Sequence, residues 1–348
     1  MRGLYCTLTM RESIPVEMRD EGLYRKIVAL CIALLCLALC GCTMQPVEKQ
    51  SFALDTFISV KVFSGGKAED AEAALARVDA CEALLSAHRA GSEIMQLNAA
   101  SGEAVAVDEL TERVLRGAME ISELSGGALD VTLYEVSQLW DYKSDAPRVP
   151  TEEEISAALA NSGMERIELM EHTVHLDGVK LDLGAIAKGA IGDEARKVLA
   201  QRGVKSALLN LGGNILTLGD KPGGSGWVIG IEDPVSGGQV GTLRLHGSMA
   251  VATSSGTQRC FTVDGKTYHH ILDPETGYPA ESGLASVTII APDGLTADAL
   301  STAVFVMGED RARAMFEEHG FEEMDISAVL VRSDGTTAVL GDAEFEAQ

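Results

Sequence analysis

The chain has 348 residues and a formal net charge of −24 at pH 7. This acidic balance argues against nucleic acid as a partner, because a phosphate backbone is bound by Lys and Arg, but it does not exclude a phosphorylated ligand held by local donors and a metal. About 300 residues remain after the N-terminal segment described next, enough for one large domain or two lobes.

The N-terminus has the pattern of an export signal. Arg25 and Lys26 precede a thirteen-residue apolar run over residues 27–39, which is shorter than the ~20 residues that a membrane-spanning helix needs. The run ends at Leu39-Cys40-Gly41-Cys42, which resembles a lipoprotein cleavage box. We therefore expect a signal peptide whose removal leaves Cys42 as the lipidated first residue. An uncleaved membrane anchor is the alternative.

These features predict the organisation of the chain. Residues 1–41 are the signal peptide, with Met18 as a plausible true start, residues 42–50 are a lipidated tether, and residues 51–348 form one folded domain. The protein is then expected outside the cytoplasm, anchored to the cell membrane by its lipid. Of seven cysteines, Cys81 and Cys260 would remain beside the lipidated one. Their spacing does not indicate zinc, and whether they pair stays open.

Hydrophobic periodicity predicts the elements in the first half of the folded part. A strand is expected over residues 54–63. Helices are expected over residues 69–87, about 110–124, 151–163 and 185–201. The second helix stops at Ser125-Gly126-Gly127, and the third begins with a capping box at Thr151-Glu152-Glu153-Glu154. Residues 174–183 are predicted to form a hairpin that turns at Asp177-Gly178.

The second half mixes strands and helices. Strands are expected over residues 207–211, 227–231 and 287–291, and helices over residues 296–307 and 311–319. Hairpins are predicted at Asp264-Gly265 and Asp334-Gly335. Since strand and helix do not alternate regularly, the fold class is predicted as α+β, with mixed or antiparallel sheets and flanking helices in a single domain of two closely packed lobes.

Two helix starts carry polar groups, one set suited to an anion and the other to a metal ion. Asp182-Leu183-Gly184-Ala185-Ile186-Ala187-Lys188-Gly189 joins a strand to a helix, and free amides and Lys188 there favour a phosphate. The alternative is an ordinary capped helix with a solvated lysine. Asp298 and Thr302 are four residues apart, so their oxygens share one helix face and suit Mg²⁺. Alternatively, Asp298 only compensates the helix dipole and Thr302 bonds to its own backbone.

A third region is rich in hydroxyl and imidazole groups. It runs from Thr253-Ser254-Ser255-Gly256 to His269-His270-Ile271-Leu272-Asp273-Pro274, and we expect it to face a ligand rather than to form a core strand. His270 is a candidate general base or phosphate donor, and Asp273 would either orient it or help to bind a metal. The alternative is a strand end followed by an ordinary turn.

Taken together and in order, these motifs resemble the FAD:protein FMN transferase (ApbE-like) family, from about Phe52 to the C-terminal region. The matching segments are Leu54-Asp55-Thr56, Ser92-Glu93-Ile94 with Leu97-Asn98, Gly127-Ala128-Leu129-Asp130, Asp182 to Gly189, Leu211-Gly212-Gly213-Asn214, Thr253-Ser254, His270 to Pro274 with Thr276-Gly277, and Ala297-Asp298-Ala299-Leu300 with Thr302.

The resemblance implies a set of ligands and roles. It implies Mg²⁺ at the pyrophosphate of FAD, held by the Ala185 backbone oxygen, Asp298 and Thr302. It also implies contacts along FAD from Leu54, His88, Ala128, Leu129, Asp130, Asp182, Lys188 and Ile271. Catalysis would involve His270, Asp298 and Thr253. A Ser or Thr hydroxyl of an acceptor protein would attack the FMN-side phosphorus, and AMP would leave.

The chain departs from the family pattern at three positions. His88 stands where the family commonly has Tyr, Leu129 stands where it commonly has Phe, and Ser255 lengthens the usual Thr-Ser-Gly by one residue. Two other functions compete with transfer. One is an FAD pyrophosphatase, which uses the same residues with water in place of the acceptor hydroxyl, and the other is a lipoprotein that binds flavin without catalysis. Retention of Asp298, Thr302 and His270 argues against a simple carrier, which needs no metal-activated phosphate.

Overall fold

The structure is a computed structural model that describes residue 26 and residues 45–348, except 143 and 145. Cys42 and the predicted cleavage box therefore lie outside the described residues. Contacts divide the chain after Gln45, and Pro46–Gln348 forms one compact unit. In the part of the chain that is described, no helix has the length and apolarity needed to cross a membrane.

The described residues form seven helices and sixteen strands. The helices are α1 (Ala68–Leu85), α2 (Glu93–Ala99), α3 (Glu109–Leu124), α4 (Tyr134–Trp140), α5 (Glu152–Leu159), α6 (Ala187–Gln201) and α7 (Gly294–His319). The strands are β1 (Val47–Ala53), β2 (Thr56–Ser64), β3 (Val105–Ala106), β4 (Ile167–Met170), β5 (Thr173–Leu176), β6 (Ser206–Leu211), β7 (Asn214–Leu218), β8 (Trp227–Glu232), β9 (Gln239–Leu245), β10 (Ala250–Ser255), β11 (Cys260–Val263), β12 (Lys266–His269), β13 (Leu284–Ala291), β14 (Ser327–Arg332), β15 (Thr337–Leu340) and β16 (Phe345–Ala347).

Eight strands form the central sheet, in the order β1-β2-β6-β7-β10-β13-β14-β15, and all its pairs are antiparallel. One face packs on α1, α6 and α7 through a large apolar cluster that includes Val60, Leu209 and Ala252. The other face packs on the small β16-β9-β8 sheet, with Val251 and Ile290 in that second cluster. The α+β prediction is confirmed.

One end of the central sheet gathers several turns. Leu54 and Asp55, both with positive φ, make the tight turn between β1 and β2, a conformation that costs a non-glycine residue energy. Ile58 pairs with Leu211, which precedes the Gly212-Gly213 turn into β7. Because Val251 pairs with Ile215 and Ser255 with Ser286, the end of β10 and the start of β13 lie at this same end.

Three predictions are wrong at the level of elements. Residues 47–50, predicted as tether, belong to β1, an edge strand that can be polar because it is half exposed to solvent. The predicted hairpin over residues 174–183 does not form. Strand β5 instead pairs antiparallel with the preceding strand, β4, around a turn at Glu171 and His172. The apolar residues that follow β5 are buried in the core rather than paired.

The third error concerns the hydroxyl-rich segment. Thr253, Ser254 and Ser255 are the last residues of β10, a central strand, rather than a loop. Hydroxyl groups are accommodated there because each finds a hydroxyl or carbonyl partner. By contrast, the predicted hairpin at Asp264-Gly265 is confirmed. The two predicted C-terminal helices are also present, as the two halves of α7 on either side of a kink at Gly308, whose φ is +79°.

Candidate functional site

A buried carboxylate, Asp298, is the centre of the candidate site. Asp293 caps α7 by accepting from the Thr296 amide at 2.8 Å, which places Asp298 in the first turns of the helix. Its side chain is almost completely buried. Asp298 Oδ1 accepts from Asn214 Nδ2 at 2.8 Å and lies 3.4 Å from Lys188 Nζ. Three elements therefore converge on one acid.

Two glycines allow the helices to meet at this acid. A Cβ atom at Gly189 would lie 1.9 Å from the Gly294 carbonyl oxygen, so only glycine permits this crossing of α6 and α7. The Gly189 amide donates to Asp298 Oδ2 at 2.9 Å, whereas α-helical geometry would direct it at the Ala185 carbonyl oxygen. The start of α6 thus places Lys188 beside the carboxylate, and the Gly189 amide bonds to Asp298 rather than to the Ala185 oxygen.

Hydroxyl groups connect β10 to the same stretch of α7. Ser254 Oγ lies 2.8 Å from Ser301 Oγ and 3.2 Å from Thr302 Oγ1. Thr253 instead bonds to Thr288 across the sheet, at 2.9 Å between the hydroxyl oxygens. Successive residues of a strand point to opposite faces, and Thr253 has the parity of Val251, which faces the small sheet. The structure therefore places Ser254, and not Thr253, beside the carboxylate helix.

His270 lies in the segment that follows β12. Its Nδ1 is 3.0 Å from the Gln258 carbonyl oxygen. Since a carbonyl only accepts, Nδ1 carries the proton and Nε2 of the neutral ring is free to take one. Burial, with the charge of Arg259 nearby, lowers the pKa of His270 to about 4, so the ring is neutral near pH 7.

Two contacts hold the loop after His270. Trp140 Nε1 donates to the Gly277 carbonyl oxygen at 2.9 Å from a fully buried position. Asp273 Oδ1 accepts from the Glu275 amide at 2.8 Å, which is the contact of a turn residue. Asp273 therefore shapes the turn, as the alternative interpretation of this segment held, rather than orienting the imidazole. Ile271 is buried.

Among the residues expected along FAD, His88 and Asp182 lie close together, whereas Leu54 lies elsewhere. His88 Nε2 lies 3.9 Å from Asp182 Oδ2, and the His88 ring is 6.3 Å from that of Tyr134. Asp182 also accepts from the Gly184 amide at 2.9 Å. Leu54 stands apart at the β1–β2 turn, where its amide donates to Glu82 Oε1 at 3.0 Å.

Asp130 lies in a segment that runs beside Asp182. The Asp182 amide donates to the Val131 carbonyl at 2.8 Å, which holds the two aspartate segments side by side. Asp130 accepts from the Thr132 amide at 2.7 Å, and burial raises its pKa above the usual value. Ala128 and Leu129 are buried, and Leu129 is only 1% exposed, so its side chain belongs to the core.

The donors near Asp298 suit a hard cation. The described residues contain no group of three or more His, Cys, Asp or Glu side chains that could hold a metal. The carboxylate of Asp298, the hydroxyl of Thr302 and the carbonyl of Ala185 are all oxygen ligands, which Mg²⁺ prefers, and Mg²⁺ usually retains several waters. One carboxylate is therefore compatible with a magnesium site that a phosphate completes.

Two residues at the site, Asn214 and Ser254, lie in motifs quoted from the sequence but had no role assigned to them there. Asn214, buried at the start of β7, bonds to Asp298, and its signal was its place directly after Gly212-Gly213. Ser254 contacts Thr302, and strand parity would have identified it once β10 was recognised. Cys81 and Cys260 are both free thiols, which answers the question of their pairing.

Comparisons with known proteins find one family at the level of both sequence and fold. Residues 54–330 match the profile of the ApbE family. An FAD:protein FMN transferase of Treponema pallidum is 35% identical over 326 residues, which are 86% of this chain and 90% of that protein. The crystal structure of an ApbE protein from Thermotoga maritima superposes with a TM-score of 0.78 at 38% identity, covering 84% of this chain and 96% of that one. The apo form of the flavinyl transferase ApbE of Pseudomonas stutzeri superposes with a TM-score of 0.73 at 30% identity, covering 87% of this chain and 95% of that one.

Proposed function

The chain belongs to the ApbE family and is a flavin transferase, and from this premise we propose that it moves FMN from FAD to a Ser or Thr hydroxyl of an acceptor protein, releasing AMP. The relatives are named FAD:protein FMN transferases. The observation that supports the detailed proposal is the convergence of Lys188, Asn214 and the Gly189 amide on the buried carboxylate of Asp298.

The pyrophosphate of FAD would lie between the starts of α6 and α7. Helix N-termini present amides to anions, and Lys188, one-third exposed, adds a positive charge that is accessible to a ligand. Asp298, Thr302 and the Ala185 carbonyl would hold Mg²⁺, which supplies charge neutralisation to the phosphates when bound. Since Asn214 and the Gly189 amide fix both carboxylate oxygens of Asp298, the acid is positioned before any ligand arrives.

His270 would assist the acceptor hydroxyl. The neutral ring, with Nδ1 donating to Gln258, leaves Nε2 to accept the hydroxyl proton. The hydroxyl oxygen bonds to the FMN-side phosphorus as the bridging P–O bond of the pyrophosphate breaks, and that electron pair leaves with AMP. The product is FMN in a phosphoester bond to the acceptor. The enzyme contributes mainly positioning and electrostatic stabilisation.

The three departures from the family pattern have separate consequences. His88, half exposed and 3.9 Å from Asp182, would contact the ligand through its ring, where a Tyr would offer a hydroxyl. Leu129 is in the core, so its contribution to FAD binding would come from its backbone. Ser255 is the last residue of β10, and its hydroxyl oxygen lies 2.9 Å from that of Thr257. The additional residue is therefore accommodated where the chain leaves β10.

The lipoprotein signal supports an extracytoplasmic role. We infer that Cys42 anchors the enzyme to the membrane and that its acceptors are redox proteins on the same side. Four residues separate the lipidated cysteine from β1 at Val47, so the domain would be held close to the bilayer.

The function is tested with a redox protein that carries covalent FMN in its native form, prepared without flavin. Incubation with the enzyme, FAD and Mg²⁺ should give a fluorescent acceptor band on a denaturing gel and free AMP. Free FMN and AMP without labelled acceptor would instead indicate a pyrophosphatase, and intact FAD after long incubation would indicate a flavin carrier.

A further inference from the structure

A second aspartate, Asp193, links the two helices that form the candidate site. It lies on α6, and both of its carboxylate oxygens accept from the first amides of α7. The Gly294 amide lies 2.8 Å from Oδ1 and 2.9 Å from Oδ2, and the Leu295 amide lies 3.0 Å from Oδ2. The Asp193 side chain is only 20% exposed, so little water competes for these contacts. The carboxylate therefore fastens the start of α7 to the middle of α6.

This contact is the counterpart of the one that Asp298 makes. Asp298 of α7 accepts from the Gly189 amide of α6 at 2.9 Å, and Asp193 of α6 accepts from the Gly294 amide of α7. Residues 189 and 193 are four apart, as are residues 294 and 298, so each pair lies on one face of its helix. Each helix thus gives one carboxylate to an amide of the other, on either side of the Gly189–Gly294 crossing.

Arg196 extends this connection to β7. Its Nη2 donates to Asp193 Oδ1 at 2.9 Å and to the Pro292 carbonyl oxygen, just before α7, also at 2.9 Å. Its Nη1 lies 3.5 Å from the Thr217 carbonyl oxygen of β7, the strand that begins with Asn214. The helix that carries the metal-binding acid and the strand that supplies its amide partner are therefore both held by one acid–arginine pair of α6.

The role of Asp193 differs from that of a helix cap. Asp293 already provides the N-cap of α7. The Gly294 amide is left for another partner from the protein, because Gly294 is buried away from water. A partner from the neighbouring loop would satisfy this amide equally well. A partner from α6 also fixes the spacing of the two helices at the crossing where Asp298 meets Lys188.

We propose that Asp193 is a positioning residue for the magnesium site, because it sets α7 against α6 and so sets where Asp298 and Thr302 stand. The proposal rests on the proposed function, and in particular on the metal that it requires. Asp193 would touch neither the metal nor FAD. Since Mg²⁺ demands near-octahedral ligands at about 2.0–2.1 Å, a small shift of α7 would weaken metal binding. FAD would keep its contact with Lys188 on α6.

The test compares two neighbouring acids of α6. Asp193→Asn keeps the size of the side chain but turns one acceptor oxygen into a donor, which would then face other donors. Glu194→Gln is the matched control. Glu194 is also buried and accepts from Arg113 Nη2 at 2.8 Å and Arg77 Nε at 3.0 Å, which belong to α3 and α1 rather than to α7.

Full-length enzymes in detergent are compared for metal binding, turnover and stability. Mn²⁺ serves as the probe of the metal site in the presence of FAD, because the EPR signal of the free ion is lost on binding. The Mg²⁺ dependence of turnover, the Kd for FAD without metal, from flavin fluorescence, and urea unfolding are measured on the same samples.

We expect Asp193→Asn to raise the Kd for Mn²⁺, and the Mg²⁺ concentration for half-maximal turnover, by about tenfold or more. The Kd for FAD without metal should stay at the wild-type value, and turnover should recover at high Mg²⁺. Glu194→Gln should keep the wild-type Kd for Mn²⁺ even where urea unfolding shows that it is less stable. An unchanged Kd for Mn²⁺ in Asp193→Asn would overturn the proposal, and so would an equal rise in both variants.

Asp193→Glu provides the second test if the Asn variant does not fold. It keeps the carboxylate but moves it by one methylene group, so the Kd for Mn²⁺ should again rise, and a wild-type value would overturn the proposal. Absence of Mn²⁺ binding by the wild type would overturn it as well. Failure of the wild type to flavinylate any acceptor would count against the transferase function alone, because the Mn²⁺ titrations still decide the role of Asp193.

Discussion

At the scale of single residues, burial and partners decide between alternatives that spacing leaves open. Asp298 could have been an exposed acid that compensates the α7 dipole. It is instead buried, and its oxygens accept from a side-chain amide and a backbone amide of two other elements. The N-cap role belongs to Asp293. An acid organised in this way, beside an accessible lysine, is suited to hold a metal against a phosphate.

We predict that Asp298→Ala lowers Mg²⁺-dependent turnover by about 10²-fold or more, because it removes the charged ligand of the metal. FAD binding should weaken much less, since Lys188 and the helix amides remain. Turnover at saturating FAD and the Kd for FAD measure the two effects. Asp70→Ala is the control, because Asp70 is also buried and pairs with Arg202 away from the site. Equal Mg²⁺-dependent turnover in Asp298→Ala and wild type would refute the metal assignment.

His270 gives a prediction about pH. Its pKa is lowered to about 4, so the base is unprotonated from neutral pH down to about pH 5. The kcat/KM for the acceptor should therefore not decline near pH 6.5, where an ordinary His becomes protonated. It should decline only as pH falls through about 4, where His270 becomes protonated. A rate that halves near pH 6.5 in the wild type and not in His270→Gln would contradict the assigned environment.

The same group affects stability with a definite sign. The unfolded His binds a proton near pH 6.5, whereas the folded one remains neutral down to about pH 4. The unfolded state therefore binds more protons in this window, and the contribution of His270 to stability is lost as pH falls from 6.5 to 4. Urea unfolding at pH 7 and pH 5 should show a larger loss for wild type than for His270→Gln.

At the scale of elements, local signals predicted the longer helices and the Asp264-Gly265 hairpin, but they missed the short helices α2 and α4, gave a wrong hairpin at Asp177-Gly178 and did not predict how the strands pair. The capping box at Thr151 forms as predicted, and Asp264-Gly265 turns the β11–β12 hairpin, because both depend on neighbouring residues. Strand β10 was missed because its hydroxyls are satisfied by β13 and α7, which are distant in sequence. The Lys188–Asp298 contact spans 110 residues, so only the family resemblance, and not spacing, brought these residues together.

The crossing of α6 and α7 is the structural basis of that contact. We predict that Gly189→Ala destabilises the fold by about 1–3 kcal/mol and reduces turnover, because its Cβ would lie 1.9 Å from a backbone oxygen that cannot move aside. Gly184→Ala is the comparison on the same segment, since its nearest obstacle is the Asp182 side-chain oxygen at 3.2 Å. Denaturant unfolding should separate the two variants, and similar midpoints would show that the helices do not cross as closely as described.

At the scale of the whole molecule, the arrangement of layers explains where the site lies. Helices cover one face of the central sheet and the small sheet covers the other, so neither face is free for a ligand. The turns at one end remain, and Asn214 and Ser254 lie there against α7, whereas Leu54 stands apart at the β1–β2 turn.

The lipoprotein prediction also concerns the whole chain. Cys42→Ser should abolish lipid attachment and move the protein from the membrane fraction to the soluble one, or leave it uncleaved, because a serine has no thiol to alkylate. Metabolic labelling with a fatty acid and fractionation measure this. The Cys260→Ser variant, which changes an exposed thiol, should remain labelled and membrane-bound. Labelling of Cys42→Ser at the wild-type level would refute the anchor.

Product stoichiometry distinguishes transfer of FMN by this enzyme from hydrolysis of FAD. The acceptor, FAD and Mg²⁺ are incubated with the enzyme, and intact acceptor mass and nucleotide products are measured together. We predict a mass increase equal to FMN less one water on a Ser or Thr, with one AMP released per acceptor modified. AMP accompanied by an equal amount of free FMN, with the acceptor mass unchanged, would show that the enzyme hydrolyses FAD and does not transfer FMN.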